Sequence, residues 1–196
     1  MSRKISFSRT ELEHLVRAWF AITLAFAIAM SGGKFFEISF LIKFIISAIT
    51  VGLGFVAHEI AHKIVAQKHK CFAEFRANDM MLVLAVVISF TGVILAAPGA
   101  VMIAGNVTRK IHGKIAASGP AMNIILAVLF LGLYFVSGGL LKQVGFYGMM
   151  INSWLAMFNI LPFPMFDGLK IMQWDKFIYG IMAAIAAALL FLSGVI

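Results

Sequence analysis

From Ile38 to Gln67 the chain is a nearly unbroken apolar run, and close to its end it places His58, Glu59 and His62 within five positions. An ionisable side chain in the middle of a membrane-spanning helix costs about 2.5–3.5 kcal/mol on insertion scales, and such residues mark functional sites. Three crowded into one turn need a compensating partner, which a metal ion would supply. The run exceeds the ~20 residues needed to cross a bilayer, so its histidine end either is buried in protein or projects toward water. Lys43 helps to set the depth, because a lysine near a helix end extends its ammonium to the interface. Fifteen residues on from Lys43 is about 22 Å along a helix at 1.5 Å per residue. His58 therefore falls in the opposite third of a roughly 30 Å hydrocarbon core.

The remaining sequence supports a membrane setting. Of the 196 residues, 62% are hydrophobic and 12% charged, which places the chain among all-α, multi-span membrane proteins and away from ordinary globular domains. Thr10-Glu11-Leu12-Glu13 has capping-box spacing and opens a helix that runs to Met30, where Ser31-Gly32-Gly33 ends it. No small-residue cleavage pattern follows, so this span reads as uncleaved. Further spans are expected at Ile115–Val136, Val144–Leu161 and Phe177–Ile196, with a polar segment from Lys68 to Asp79 and a basic loop from Gly105 to Lys114. Counting the stretch Met80–Ala104, this gives about five to six membrane helices in one domain over residues 1–196. A single cysteine, Cys71, excludes an internal disulfide. The net charge of +8 is scattered through short segments between apolar runs, a pattern of membrane orientation and not of nucleic-acid binding.

Histidines four apart on a helix stand about 5–6 Å from each other at their β-carbons, close enough for both imidazoles to reach one zinc ion. Glu59, beside the first of them, can then act as general base toward a metal-activated water. Catalytic zinc takes a third protein ligand and leaves its fourth position open. Glu11, Glu13, Glu37, Glu74, Asp79 and Asp175 lie in polar or flanking segments, which leaves Asp167, in Asn159-Ile160-Leu161-Pro162-Phe163-Pro164-Met165-Phe166-Asp167-Gly168. Pro162 and Pro164 disfavour helix and end the span in irregular backbone that can turn a carboxylate inward.

For Asp167 to reach the histidines, the chain between Gln67 and Leu161 must cross the membrane an even number of times. Two crossings are already assigned, so Met80–Ala104 must return to the face it left, as a re-entrant hairpin or as a short helix with an extended return. Thr91-Gly92 and Pro98-Gly99 offer the breaks. With that topology, all basic residues except Lys34, Lys43 and Lys142 lie on one side, among them Arg3, Lys4, Lys63, Lys68, Arg109 and Lys170. By the positive-inside rule, the N-terminus and the site end are cytoplasmic in the cell membrane.

Three pieces in order carry a family resemblance: His58-Glu59-x-x-His62, Gly119-Pro120-Ala121-Met122-Asn123, and Asn159-x-x-Pro162-x-Pro164-x-Phe166-Asp167-Gly168. Together they resemble the site-2 protease family of intramembrane zinc metalloproteases, over a core of about residues 38–170. Phe166 replaces the leucine usual in that family. The resemblance implies hydrolysis of a transmembrane protein substrate within the bilayer, one zinc ion on His58, His62 and Asp167, and Glu59 as base. It also implies that Asn159 helps to hold substrate and that a membrane-associated β element lies between the metal helix and the central motif. Ala97 to Ile103 fits such an element, with Pro98, Gly99, Ala100 and Val101 as its substrate-facing residues. Neither a PDZ nor a CBS domain is expected. Asn123 is expected to pack at a helix contact with Gly119.

Two other functions compete. A catalytically silent adaptor of the same fold has no need for both histidines, Glu59 and Asp167 together. A metal transporter calls for broken helices in paired halves, and one Pro-interrupted segment has no counterpart. His14, His69 and His112 are expected to be solvated.

Overall fold

The computed structural model describes residues 5–32, 35–94 and 98–195. The expectations placed on Arg3, Lys4, Gly33, Lys34, Ala97 and Ile196 lie outside the described residues. Helix α1 spans Arg9–Ser31. A long second helix follows in three parts: α2 (Ile38–Ser47), a wide π turn (Ala48–Gly52) and α3 (Leu53–Lys68). Next come β1 (Phe72–Ala77), α4 (Asp79–Ser89) and β2 (Gly99–Ala104), then α5 (Arg109–Val136), α6 (Gly139–Ile160), α7 (Asp167–Trp174) and α8 (Lys176–Val195).

Among the described residues, four helical stretches are long and apolar enough to cross a membrane: Arg9–Ser31, Ile38–Lys68, Arg109–Val136 and Lys176–Val195. Helices suit that setting because they satisfy every backbone group within one segment. The span expected at Val144–Leu161 is the 22-residue helix α6, which is not among these four. It carries Gln143, Asn152, Ser153 and Asn159, and Asn152 and Ser153 are fully buried.

Local signals differ from the expected ones at two helix starts. The cap of α1 is Ser8, whose hydroxyl accepts from the Glu11 amide at 3.1 Å, and not Thr10. The basic segment Arg109–Lys114 is not loop but the first turns of α5, capped by Thr108, whose hydroxyl accepts from the Ile111 amide.

The polar segment between Lys68 and Asp79 holds a strand, β1. In β1, Ala73 and Phe75 are buried while Phe72 is exposed, the alternation of a strand with one covered face. It pairs antiparallel with β2, from Phe72 opposite Ala104 to Ala77 opposite Gly99. This register brings the chain back beside the end of α3 before α5 begins. Between the strands lies α4, so the described part of Met80–Ala104 holds a short helix and then a strand.

Among the apolar clusters that hold the helices together, two are the largest. Leu15, Ile22, Val51, Phe55, Phe75 and Ile151 join α1, the long second helix, β1 and α6. Ala116, Ala156, Ile160, Ile171 and Met182 join α5 to α8. At the π turn, the Trp19 indole N–H of α1 donates to the Ala48 carbonyl at 3.3 Å. A side chain at Gly52 would collide with that indole.

Candidate metal centre

His58 and His62 sit one turn apart on α3 with their rings edge to face, centroids 4.6 Å apart. Asp167 arrives from the other half of the chain. α6 ends at Ile160, the backbone turns through Pro162 and Pro164, and α7 starts at Asp167 itself. Gly168 permits this return, since a β-carbon there would run into the carbonyls of Ile160 and Leu161. The Asp167 Oδ2 then lies 3.0 Å from His62 Nε2 and 3.4 Å from His58 Nε2. All three side chains are buried, and one ligand atom from each falls within 4.8 Å of the others.

The hydrogen bonds behind the imidazoles define what these atoms can do. His62 Nδ1 lies 2.7 Å from the Ile115 carbonyl, which only accepts, so that nitrogen carries the proton. His58 Nδ1 lies 2.6 Å from Asn123 Oδ1. The Asn123 amide orientation follows from its other side, where Nδ2 donates to the Gly54 carbonyl at 3.1 Å and to Asn152 Oδ1 at 3.0 Å. Both rings are therefore protonated on Nδ1 when neutral, and both Nε2 atoms present lone pairs. Those atoms are 3.0 Å apart and face a carboxylate oxygen, so three electron-pair donors converge with no proton between them in the neutral state. A cation resolves that repulsion, and two nitrogens with one oxygen, each imidazole backed by a hydrogen-bond acceptor, is a zinc donor set.

Asn123 is fully buried and corrects its expected role: it is a support for His58 and not only a packing residue. Gly119 supplies the space. A β-carbon on that residue would meet Nε2 of both histidines, so α5 passes beneath the metal position with no side chain in the way.

No protein-family profile matches the chain, and no solved structure does. Among curated proteins, a Methanocaldococcus jannaschii protein provisionally named a zinc metalloprotease is 44% identical over 146 residues, 72% of this chain and 76% of the relative. The chain belongs to the zinc metalloproteases. As such it takes zinc as its cofactor, and the His58–His62–Asp167 group is a place that could bind the metal.

Around that group the metalloprotease forms a cavity of about 130 Å³, lined among others by Glu59, Gly99, Val101, Ile103, Asn159 and Lys170. Glu59 is largely buried. Pro98 and Asn159 line a second cavity that continues past His58 and Glu59, and Ala100 lines the first. The nominated residues thus line one or both of these two cavities. Asn159 turns its amide nitrogen back to the Leu155 carbonyl of its own helix at 2.9 Å.

Four residues were read differently. His112, expected in solvent, lines the metal cavity. Lys170, counted only as a surface charge, places its ammonium 3.3 Å from Asp167 Oδ1. Its spacing of three from Asp167 on one helix face was the available signal. Lys63, expected to emerge on a membrane face, is buried, and so is Glu11, with which it forms an ion pair.

Proposed function

We propose that the protein is an intramembrane protease of the site-2 type, which hydrolyses a peptide bond in transmembrane segments of other proteins. The observation that carries this reading is the meeting of His58, Glu59 and His62, on an apolar 31-residue helical stretch, with Asp167 of α7, beside the outer edge of a strand.

That edge has a defined composition. In an antiparallel ladder the backbone groups of alternate residues face the partner strand and those between them face away. On β1, the Ala73 carbonyl and the amides of Phe75 and Ala77 bond to side chains outside the sheet. Their partners on β2, Ile103, Val101 and Gly99, therefore direct their backbone groups to the outer edge. These three residues line the metal cavity. A transmembrane helix has its peptide groups bonded internally and must unwind to be cut, and an unwound segment can pair with this edge by strand addition.

In the proposed reaction, His58, His62 and Asp167 hold the zinc, which supplies electrophilic activation of water and of the scissile carbonyl. Glu59 accepts a proton from the attacking water as its oxygen bonds to the carbonyl carbon, then delivers the proton to the leaving nitrogen as the C–N bond breaks. Pairing at Val101 and Ile103 would hold the scissile peptide extended, with Asn159 at the far wall of the same space. The active-site end is cytoplasmic in this reading, in line with Lys68, Lys70, Arg76, Arg109, Lys110 and Lys114 near the junction of α3, the sheet and α5.

The test is cleavage of a panel of single-span substrates in liposomes by the purified protein, by its Glu59→Gln variant and by a chelated sample. Cleavage by the first alone is expected. Equal cleavage by Glu59→Gln would sink the mechanism.

A further inference from the structure

The two edges of the β1–β2 sheet are treated unequally. One lines the metal cavity. The other is closed by side chains from two helices. Glu11 of α1 accepts the Phe75 amide at 3.0 Å, and His14, one turn further along α1, accepts the Ala77 amide at 3.0 Å. Lys63 of α3, the residue after the second histidine, donates to the Ala73 carbonyl at 3.1 Å and forms an ion pair with Glu11. Glu11 is 0% and Lys63 2% exposed. The Phe7 ring covers the ammonium, 4.5 Å from centroid to Nζ. One outward backbone group on each of Ala73, Phe75 and Ala77 is thus bonded as a neighbouring strand would bond it, but by a side chain.

The register gives this arrangement its target. Ala73, Phe75 and Ala77 stand opposite Ile103, Val101 and Gly99, the β2 residues that line the metal cavity. Lys63 fastens the first of these pairs to the helix that carries His58, Glu59 and His62, and Glu11 and His14 fasten the other two to α1. We propose that Glu11, His14 and Lys63 are positioning residues for proteolysis: they seal the β1 edge against strand addition and fix β2 at its distance from Glu59. This rests on the reading of β2 as the substrate edge. A substrate segment then has one edge to pair with, the one beside the metal.

Charge removal must be balanced to test this, because a lone buried charge unfolds proteins by itself. The double variant Glu11→Leu/Lys63→Met removes both charges and leaves the β1 groups without partners. His14→Leu strands only the Ala77 amide, and His14→Gln keeps an acceptor in its place. The full-length protein in micelles is first examined by amide hydrogen exchange. In the double variant, exchange at Ala100 and Met102, whose backbone groups face β1, should rise by roughly tenfold or more, with the central turns of α5 and α6 unchanged. Cleavage by zinc-loaded protein should show kcat reduced by about tenfold in the double variant and by less in His14→Leu, with zinc content equal to the parent and His14→Gln close to it.

Unchanged exchange at Ala100 and Met102 would overturn the proposal, as would parental kcat in both the double variant and His14→Leu. If the parent cleaves no substrate, the protease reading fails, and the exchange measurement still decides whether the clamp holds β2.

Discussion

The imidazole of His58 donates through Nδ1 to Asn123 Oδ1 across 2.6 Å, and Asn123 in turn donates to Gly54 and Asn152. One amide therefore joins α3, α5 and α6 behind a metal-facing nitrogen. Acceptors of this kind hold a ligand ring in its tautomer and orientation, and their loss costs roughly 10–100-fold in metal affinity. Asn123→Ala is expected to weaken zinc binding within that range, measured by competition with a chromophoric chelator. Affinity equal to the parent would show that His58 is held by other contacts.

Asp167→Ala removes the one carboxylate that faces both Nε2 atoms. Zinc bound to the purified variant should be labile to dialysis, while Lys170→Met, which removes only the ammonium beside Asp167, should retain it. Stable stoichiometric zinc in Asp167→Ala would remove this residue from the ligand set.

Gly119→Ala adds a single methyl group where both histidines already stand. The imidazoles have no room to yield without leaving their Nδ1 partners. Alanine ordinarily stabilises a helix interior by roughly 1 kcal/mol over glycine, so the expected result is unusual: a substitution favourable to helix that empties the metal site. Zinc content by atomic absorption, alongside helicity by circular dichroism, checks both parts.

Lys63→Met alone leaves the Glu11 carboxylate buried without its cation, and breaking a buried pair from one side costs roughly 3–5 kcal/mol. The single variant should melt well below the parent in the same detergent. Adding Glu11→Leu should recover part of the loss. A single variant as stable as the parent would show that water reaches Glu11.

Much of the site was legible because its chemistry is local or forced. The spacing of His58 and His62 survives in any helix, and Asp167 emerged because few acids lie inside apolar sequence and the chain had to fold back to deliver one. The structure pairs Phe72 with Ala104 across an antiparallel ladder. What escaped were relations made only by tertiary contact. Glu11 and Lys63 each look like surface charges, and nothing in either neighbourhood announces that 52 residues of chain bring them together in the interior. β1 escaped for a different reason: Phe72-Ala-Glu-Phe-Arg-Ala alternates, but its small and charged members give a weak strand signal against the basic residues around it. Helix α6 runs over the expected span Val144–Leu161, and the bond between its Asn152 and Asn123 of α5 was not legible in the apolar pattern.

The π turn at Ala48–Gly52 bears on how the histidines are aimed. Such a turn holds one more residue than regular winding, and each residue advances a helix by about 100°. Deleting one residue there would leave every ligand in place along the sequence, yet rotate the metal half about its axis by more than a quarter circle against the half that carries Lys43. The direction in which this protein points its metal is thus a matter of angular phase, set several residues upstream of the first ligand and clasped by Trp19.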